Sequence, residues 1–199
     1  GPTKLIQMAP HALRGELERA IDQEITRALL GEPASILLKL NSIEDKPLIR
    51  KLYDADRAGV DVRLIVRGIC CLVTDMRGHS ERIKAISIVD RFLEHARVYV
   101  FHNGGSPTVH LASADWMERN LDRRVEAAFP ILDVKLKAEV LQFLELEWQD
   151  HAKARSIDRG QSNPYRKRPA GKPALRSQTA WYAKLKGMAR GRPTSFRRK

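Results

Sequence analysis

The chain has 199 residues, of which 43% are hydrophobic, so it is long enough for one α/β domain with a substantial core. Its formal net charge of +12 comes from the C-terminal end, because residues 153–199 hold 15 Lys or Arg and one acidic residue. Residues 1–152 carry about −2, so the basic charge says little about what the body binds. The sequence contains no apolar run of the roughly 18 residues that span a bilayer, which excludes a membrane-spanning class.

The cysteines and the first residues indicate the setting of the chain. Cys70 and Cys71 are adjacent, and a bridge between neighbours would close no useful loop. We therefore expect free thiols in a reduced, cytoplasmic protein, with membrane association as an alternative. The start has no signal-peptide pattern, and residues 1–2, Gly-Pro, resemble the scar of protease cleavage after expression. We expect the chain to be a piece of a larger protein.

The first third of the sequence predicts a βαβ unit. Apolar residues recur with helical period over 11–30. A short apolar strand at 36–40 is followed by a helix at 46–59 and a second strand at 62–67. The connections are short, so the two strands should be parallel and joined by a right-handed crossover.

The middle of the sequence predicts antiparallel strands and a long helix. A loop is expected at 68–82. The remaining predictions are a strand at 83–89, a helical turn at 90–95, a hairpin of strands at 97–101 and 108–113, a strand at 123–129 and a helix at 134–151. The helix should bury one apolar stripe, made of Leu136, Val140, Leu141, Leu144 and Trp148. The fold class is therefore α/β, with a mixed central sheet flanked by helices.

The C-terminal end has a different composition. After Ser156 the sequence is rich in Arg, Lys, Pro, Gly and Ser, and only residues 174–189 have a helical pattern. We expect residues 161–199 to form a basic, largely disordered extension.

Arg67 is the first candidate for chemistry. It ends a predicted apolar strand, and Gly68 follows it. Ligands of α/β sheets gather at the carboxyl ends of strands, so an Arg there suits an anion such as phosphate. The alternative is an Arg that simply leaves the strand for solvent.

His95 and Arg97 form the second candidate. Two residues that are two positions apart in a strand share a face, and imidazole with guanidinium can neutralise and protonate a phosphoryl group. The alternative is a capping histidine. His11, His79, His110 and His151 rank lower, because they lie at helix ends, in a loop or alternating out of a strand. The sequence has no metal-ligand spacing, P-loop or Ser or Cys nucleophile with a base, and we expect the cysteines to pack.

Three long stretches, at 41–72, 85–105 and 111–133, resemble one known family. Their motifs VRGICCL, SIVDRFLEH and SADWMERN are similar to the second C-terminal, phospholipase D-like catalytic domain of bacterial polyphosphate kinases. The resemblance covers nearly all of residues 3–160, and we do not extend it past about Pro164. It implies a phospholipase D-like α/β sandwich over residues 3–160.

The resemblance also implies an activity. Members transfer the terminal phosphate of ATP reversibly to polyphosphate, through a phosphohistidine in a KIHAK-type motif on a neighbouring domain. This sequence lacks that motif, so we expect the isolated chain to be inactive. The implied cofactor is Mg²⁺ with ATP or ADP, and the implied partners are the remaining domains and further copies in a homo-oligomer.

Site residues follow from the same resemblance. His95 corresponds to the catalytic His, and Arg67, His95 and Arg97 to ATP- or phosphate-binding residues. Ser113, Asp115 and Asn120, in SADWMERN, are weaker candidates for supporting the phosphate site. The phospholipase D pattern H-x-K-x4-D reads His95, Arg97 and His102 here. That departure disfavours a phospholipase D-type nuclease and leaves His102 as an ordinary loop residue.

A rival from another class is a non-catalytic module that binds a polyanion through the basic end. Such binding should weaken steeply with salt. Trp181, Tyr182 and Phe196 could stack on bases, so nucleic acid is a partner to test, although a less favoured one than polyphosphate.

Overall fold

The computed structural model describes residues 6–10 and 12–191, except for the side chains of residues 189–191. Eight strands and four helices account for most of it. The strands are β1 (Gln7–Ala9), β2 (Ser35–Leu40), β3 (Asp61–Val66), β4 (Lys84–Ile88), β5 (Arg97–Phe101), β6 (Thr108–Ala112), β7 (Glu126–Pro130) and β8 (Ala154–Ser156). The helices are α1 (Leu13–Leu29), α2 (Lys46–Ala58), α3 (Val134–Trp148) and α4 (Ser177–Gly191).

All eight strands belong to one mixed sheet, in the order β1-β7-β6-β5-β2-β3-β4-β8. Strands β2, β3 and β4 run parallel, and the other neighbours are antiparallel. The predicted βαβ unit is confirmed, since Ile36 of β2 pairs in parallel with Val62 of β3. The predicted hairpin is confirmed as well, since Val98 of β5 pairs with Leu111 of β6.

Helices cover both faces of the sheet, so the fold class is α/β with three layers. Side chains of a strand alternate between faces, and neighbours in β3 show this. Leu64 packs in the core shared with α1 and α2, whereas Ile65 packs with Leu144 of α3 on the other face. Helix α2 is fixed at its start, because the Asp45 carboxylate accepts a 3.0 Å bond from the backbone N–H of Leu48.

Three local predictions differ from the structure. Residues 90–95 form no helical turn and lie in an irregular segment. Strands β1 and β8 were not predicted, because three residues carry too little pattern to detect. Leu136 is 55% exposed, although the expected stripe of α3 includes it. It lies in the first turn of α3 and lines an open apolar groove beside Leu132.

The expected disordered extension is packed against the body as far as the structure describes it. Residues 161–176 have little regular structure, but the backbone N–H of Ser156 donates to Pro164 over 2.9 Å. Helix α4 lies on α3, where the rings of Trp181 and Phe143 are 5.3 Å apart. Residues 192–199 lie outside the described residues. Within the described residues, no helix is long and apolar enough to cross a bilayer.

Candidate active site at one end of the sheet

Four chain segments meet at one end of the sheet because of its topology. Strands β2 and β3 are parallel and end there at Leu40 and Val66. Strand β5 is antiparallel to β2 and begins there at Arg97, which pairs with Ala112 at the end of β6. The residues after β2, β3 and β6 and those before β5 are therefore neighbours in space, although they are far apart in sequence.

Arg67 follows β3 and is held by the segment after β2. Its Nε donates to the side-chain oxygen of Asn41 over 2.5 Å. The next residue, Gly68, donates its backbone N–H to the Asn41 carbonyl over 2.8 Å. A Cβ at Gly68 would lie 2.8 Å from that same carbonyl oxygen, so the close approach requires glycine. The Arg67 side chain is half-buried and lines a pocket.

Asp115 joins this segment to Arg97. One oxygen, Oδ1, accepts the backbone N–H groups of Asn41 and Ser42 over 2.7 and 3.1 Å. The other, Oδ2, accepts from Nη2 of Arg97 over 3.0 Å. Both side chains are largely buried, with 8% of Asp115 and 14% of Arg97 exposed. An ion pair of this kind, with extra backbone donors on the carboxylate, fixes both partners.

Arg97 in turn contacts His95. Its Nη1 lies 3.1 Å from Nδ1 of the imidazole and 3.3 Å from the His95 carbonyl oxygen. The two residues do not share a strand face as the spacing predicted, because β5 begins only at Arg97 and His95 lies in the preceding segment. They meet because the guanidinium reaches back. The imidazole stays exposed, so it is open to a ligand.

Arg97 has little capacity left for a phosphate. Its Nη1 and Nη2 are engaged by His95 and Asp115, and its Nε is buried with no acceptor among the described residues. The contact with Nη1 fixes the position of the His95 imidazole, and the expected phosphate contact of Arg97 stays a prediction.

Ser113 and Asn120 form a separate group around Glu126. The Ser113 hydroxyl donates to one Glu126 oxygen, and the Asn120 amide donates to the other over 2.6 Å. Glu126 is 8% exposed. Of the three weaker candidates, the structure joins only Asp115 to Arg67 and His95, and the other two hold β7 beside β6. Asn41 and Glu126 were not among the residues predicted from the sequence. Asn41 directly follows β2, so the rule that selected Arg67 could have found it.

A pocket of about 620 Å³ opens beside Arg67. Gly68 and Ser87 line it from the ends of β3 and β4, and Arg155 and Asn163 line it from the C-terminal segment. Arg155 is held there by a 2.9 Å bond to the Asn163 carbonyl and by the Tyr165 ring, 3.8 Å away. The pocket thus has two guanidinium groups and the size for a small phosphorylated ligand.

His102 and His151 are engaged elsewhere, Cys70 lines the pocket beside Arg67, and His11 lies outside the described residues. His102 accepts from the backbone N–H of Gly105 over 3.2 Å in the turn after β5. His151 contacts the carbonyls of Gln149 and Pro173 over 2.8 and 3.0 Å. Both cysteines are free, and burial raises the pKa of Cys70 to about 11, which leaves an unreactive thiol at neutral pH.

The residues of this site do not fit a Mg²⁺ ion. Mg²⁺ prefers oxygen ligands such as carboxylates, and Asp115 already binds Arg97 and two backbone N–H groups. No cluster of three His, Cys, Asp or Glu able to hold a metal occurs in residues 6–10 and 12–191. The expected Mg²⁺ would have to be held by the nucleotide phosphates or by other parts of a larger protein.

Comparisons with known proteins show the family of the chain. The family model "Polyphosphate kinase C-terminal domain 2" matches residues 6–178. A polyphosphate kinase from Vibrio vulnificus is 48% identical over 181 residues, which cover 91% of this chain and 26% of that protein. The crystal structure of polyphosphate kinase from Porphyromonas gingivalis superposes with a TM-score of 0.91 at 40% identity, over 96% of this chain and 30% of that one.

A phospholipase D family member, Nuc from Salmonella typhimurium, has a TM-score of 0.55 at 19% identity, over 77% of this chain and 96% of that one. This likeness shows that the fold is phospholipase D-like, as the resemblance implied. The chain spans about a quarter of the length of its polyphosphate kinase relatives. The family match continues to residue 178, beyond the predicted limit at residue 160, and thus includes the start of α4. The chain belongs to the polyphosphate kinase C-terminal domain 2 family.

Proposed function

We propose that this chain is the part of a polyphosphate kinase that handles the transferred phosphate, in a reaction that moves the terminal phosphate of ATP reversibly to polyphosphate. One observation carries the proposal. Arg67 and His95 stand at the two ends of a single chain of contacts that runs through Asn41, Asp115 and Arg97. The half-buried guanidinium of Arg67 and the exposed imidazole of His95 are thereby linked at the same end of the sheet.

The chemistry assigns a distinct role to each end. Arg67 binds and neutralises the phosphate oxygens, because its side chain lines the pocket at the end of β3. His95 acts as an acid or base, or as a hydrogen-bond donor to the bridging oxygen as the P–O bond breaks. Arg97 and Asp115 keep the imidazole oriented, so the geometry is set before the substrate arrives. In this proposal ATP or ADP enters the pocket beside Arg67.

The nucleophile is proposed to come from outside the chain. The family resemblance implies a phosphohistidine on a neighbouring domain, and the rest of such an enzyme is therefore the first proposed partner. This histidine takes the γ-phosphoryl group, ADP leaves, and an end oxygen of polyphosphate then displaces the histidine nitrogen. Homo-oligomerisation and a cytoplasmic location stay predictions from the resemblance.

Single substitutions in a full-length polyphosphate kinase containing this sequence test the proposal. His95→Ala and Arg67→Ala should each lower polyphosphate synthesis from ATP by about 100- to 1000-fold, the usual loss for one electrostatic donor. The exposed Lys186 on α4 provides the control, and Lys186→Ala should leave the rate unchanged. Near-normal synthesis with His95→Ala or Arg67→Ala would remove that residue from the mechanism.

A further inference from the structure

The segment that carries His95 has few apolar contacts to hold it. Residues 89–96, called here the His95 loop, form neither helix nor strand. Its apolar side chains point outward, with 72% of Val89 and 75% of Leu93 exposed. Burial of apolar surface therefore contributes little to its position, and polar contacts must fix it instead.

Those polar contacts come from the first turn of α4. The amide of Gln178 makes a closed pair with Phe92, since its Oε1 accepts from the Phe92 N–H and its Nε2 donates to the Phe92 carbonyl, both over 2.8 Å. Nε2 also donates to Glu94 over 2.8 Å. Gln178 is 8% exposed, so water competes weakly for these bonds.

A second contact holds the start of the loop. The guanidinium of Arg176 binds both carboxylate oxygens of Asp90, over 2.8 and 2.6 Å. The Asp90 side chain is only 2% exposed. Such a two-point ion pair fixes direction as well as distance. Arg176 and Gln178 thus hold residues 90, 92 and 94 on the approach to His95.

The His95 loop and the start of α4 are each bonded to the body of the domain as well. Glu94 also accepts from Lys39 of β2 over 2.6 Å, so the residue before His95 is tied to the central sheet. The backbone N–H of Ser177 donates to Asp150 over 2.6 Å, and Asp150 also caps the residues leading into β8. The start of α4 is therefore a rigid support for the His95 loop.

We propose that Gln178 and Arg176 are positioning residues for His95, which clamp the His95 loop so that the imidazole stays against Arg97. The inference rests on the proposed function for its kinetic consequence, but the clamp itself can be measured without catalysis. Arg176 and Gln178 lie in residues 161–199, which were expected to be largely disordered. In this proposal they instead position a residue of the reaction.

The test uses Gln178→Met, which removes the amide and nearly keeps the side-chain length, in a full-length polyphosphate kinase containing this sequence. Hydrogen exchange of the peptide covering residues 89–96 should become about tenfold faster, as expected for the loss of about 1.4 kcal/mol of local hydrogen bonding. The kcat for polyphosphate synthesis should fall about tenfold, with the KM for ATP within twofold, because Arg67 is bound by Asn41 and makes no bond to Gln178. Lys186→Ala, on the same helix, is the matched control for both readouts.

The double variant separates positioning from general damage. In a His95→Ala background, Gln178→Met should lower kcat no further, because there is no imidazole left to position. An equal further loss in that background, or exchange that stays at the level of Lys186→Ala, would overturn the clamp. Full activity of His95→Ala would instead refute the proposed function, while faster exchange in Gln178→Met would still support the clamp.

Discussion

At the scale of single residues, Gly68 sets the distance between the segments after β2 and β3. The sequence suggested that a glycine here lets a ligand approach the backbone. In the structure the backbone that lies close to Gly68 is that of Asn41, so the glycine is required by a contact within the chain. Gly68→Ala would force a Cβ to within 2.8 Å of a carbonyl oxygen that cannot move freely.

We therefore expect Gly68→Ala to lower the free energy of unfolding by about 1–3 kcal/mol, as overpacking of a tight contact does. It should also raise the KM for ATP, because Arg67 and Asn41 are pushed apart. Gly187→Ala is the matched control, since a Cβ there has no neighbour within 4 Å. Urea unfolding of each variant is compared with the parent chain, because alanine at Gly187 also favours helix α4. An unchanged midpoint for Gly68→Ala would show that the close contact is unimportant.

Prediction from sequence reached some of these residues and not others. Arg67 follows a clear strand, so its position could be inferred. His95 was a candidate from its spacing to Arg97, and the family resemblance implied its catalytic role. The partner of Arg97 could not be inferred, because Asp115 lies 18 residues away and meets it only through the pairing of β5 with β6. The family resemblance assigned Ser113 and Asn120 to the same site, whereas in the structure both side chains bind Glu126.

At the scale of elements, a buried charge cluster joins β2, α3 and the His95 loop. Lys39 of β2 donates to Glu94 of the loop and to Glu147 of α3, which is fully buried. Burial, reinforced by Glu94, raises the pKa of Glu147 to about 9. Burial opposes ionisation of Glu94 too, but bonds from Glu147, Lys39 and Gln178 outweigh it and lower the pKa of Glu94.

This cluster predicts a pH dependence of stability. Glu147 keeps its proton in the folded chain up to about pH 9, whereas in the unfolded chain it ionises near pH 4.3. The folded state binds more protons in between, so the free energy of unfolding falls as pH rises, by up to about 1.4 kcal/mol per pH unit from this group. Glu147→Gln lacks this slope. Its stability relative to the parent should therefore increase between pH 5.5 and pH 8 in urea unfolding, and a constant difference would contradict the assignment.

The elements themselves were largely predictable, because hydrophobic period and helix ends are local. Helices α1, α2 and α3 and strands β2 to β7 lie close to their predicted ranges. The His95 loop was mistaken for a helical turn, because its backbone bonds go to the side chain of Gln178, 86 residues away, and leave no local signal.

At the scale of the whole molecule, residues beyond the predicted domain end at residue 160 pack against the body. Compositional change after Ser156 suggested that the folded unit ends at residue 160, but low hydrophobicity does not show whether a basic segment is docked. Arg166, Arg176 and Gln178 all contact the body, and Trp181 packs on Phe143 instead of being free for a base. This contact weakens the alternative of a free polyanion-binding tail.

Two truncations test this limit. Removing residues 161–199 loses the contacts of Arg176, Gln178 and Trp181, so the melting temperature should fall by about 5–10 °C, at roughly 2–4 °C per kcal/mol for a chain of this size. Removing residues 192–199 keeps the contacts of Arg176, Gln178 and Trp181, so it should lower the melting temperature less than the longer truncation does. Thermal unfolding followed by circular dichroism compares the two truncated chains. Equal melting temperatures would support a folded domain that ends at residue 160.

The central claim is that Arg67 and His95 act on one phosphate as ends of one network. The most direct measurement is a double-mutant cycle, with the rate of polyphosphate synthesis measured for Arg67→Ala, His95→Ala and the pair in a full-length enzyme. Residues that act as a unit are strongly non-additive, so the pair should be little slower than the slower single variant. If the two losses multiply, Arg67 and His95 act independently, and the network does not couple them.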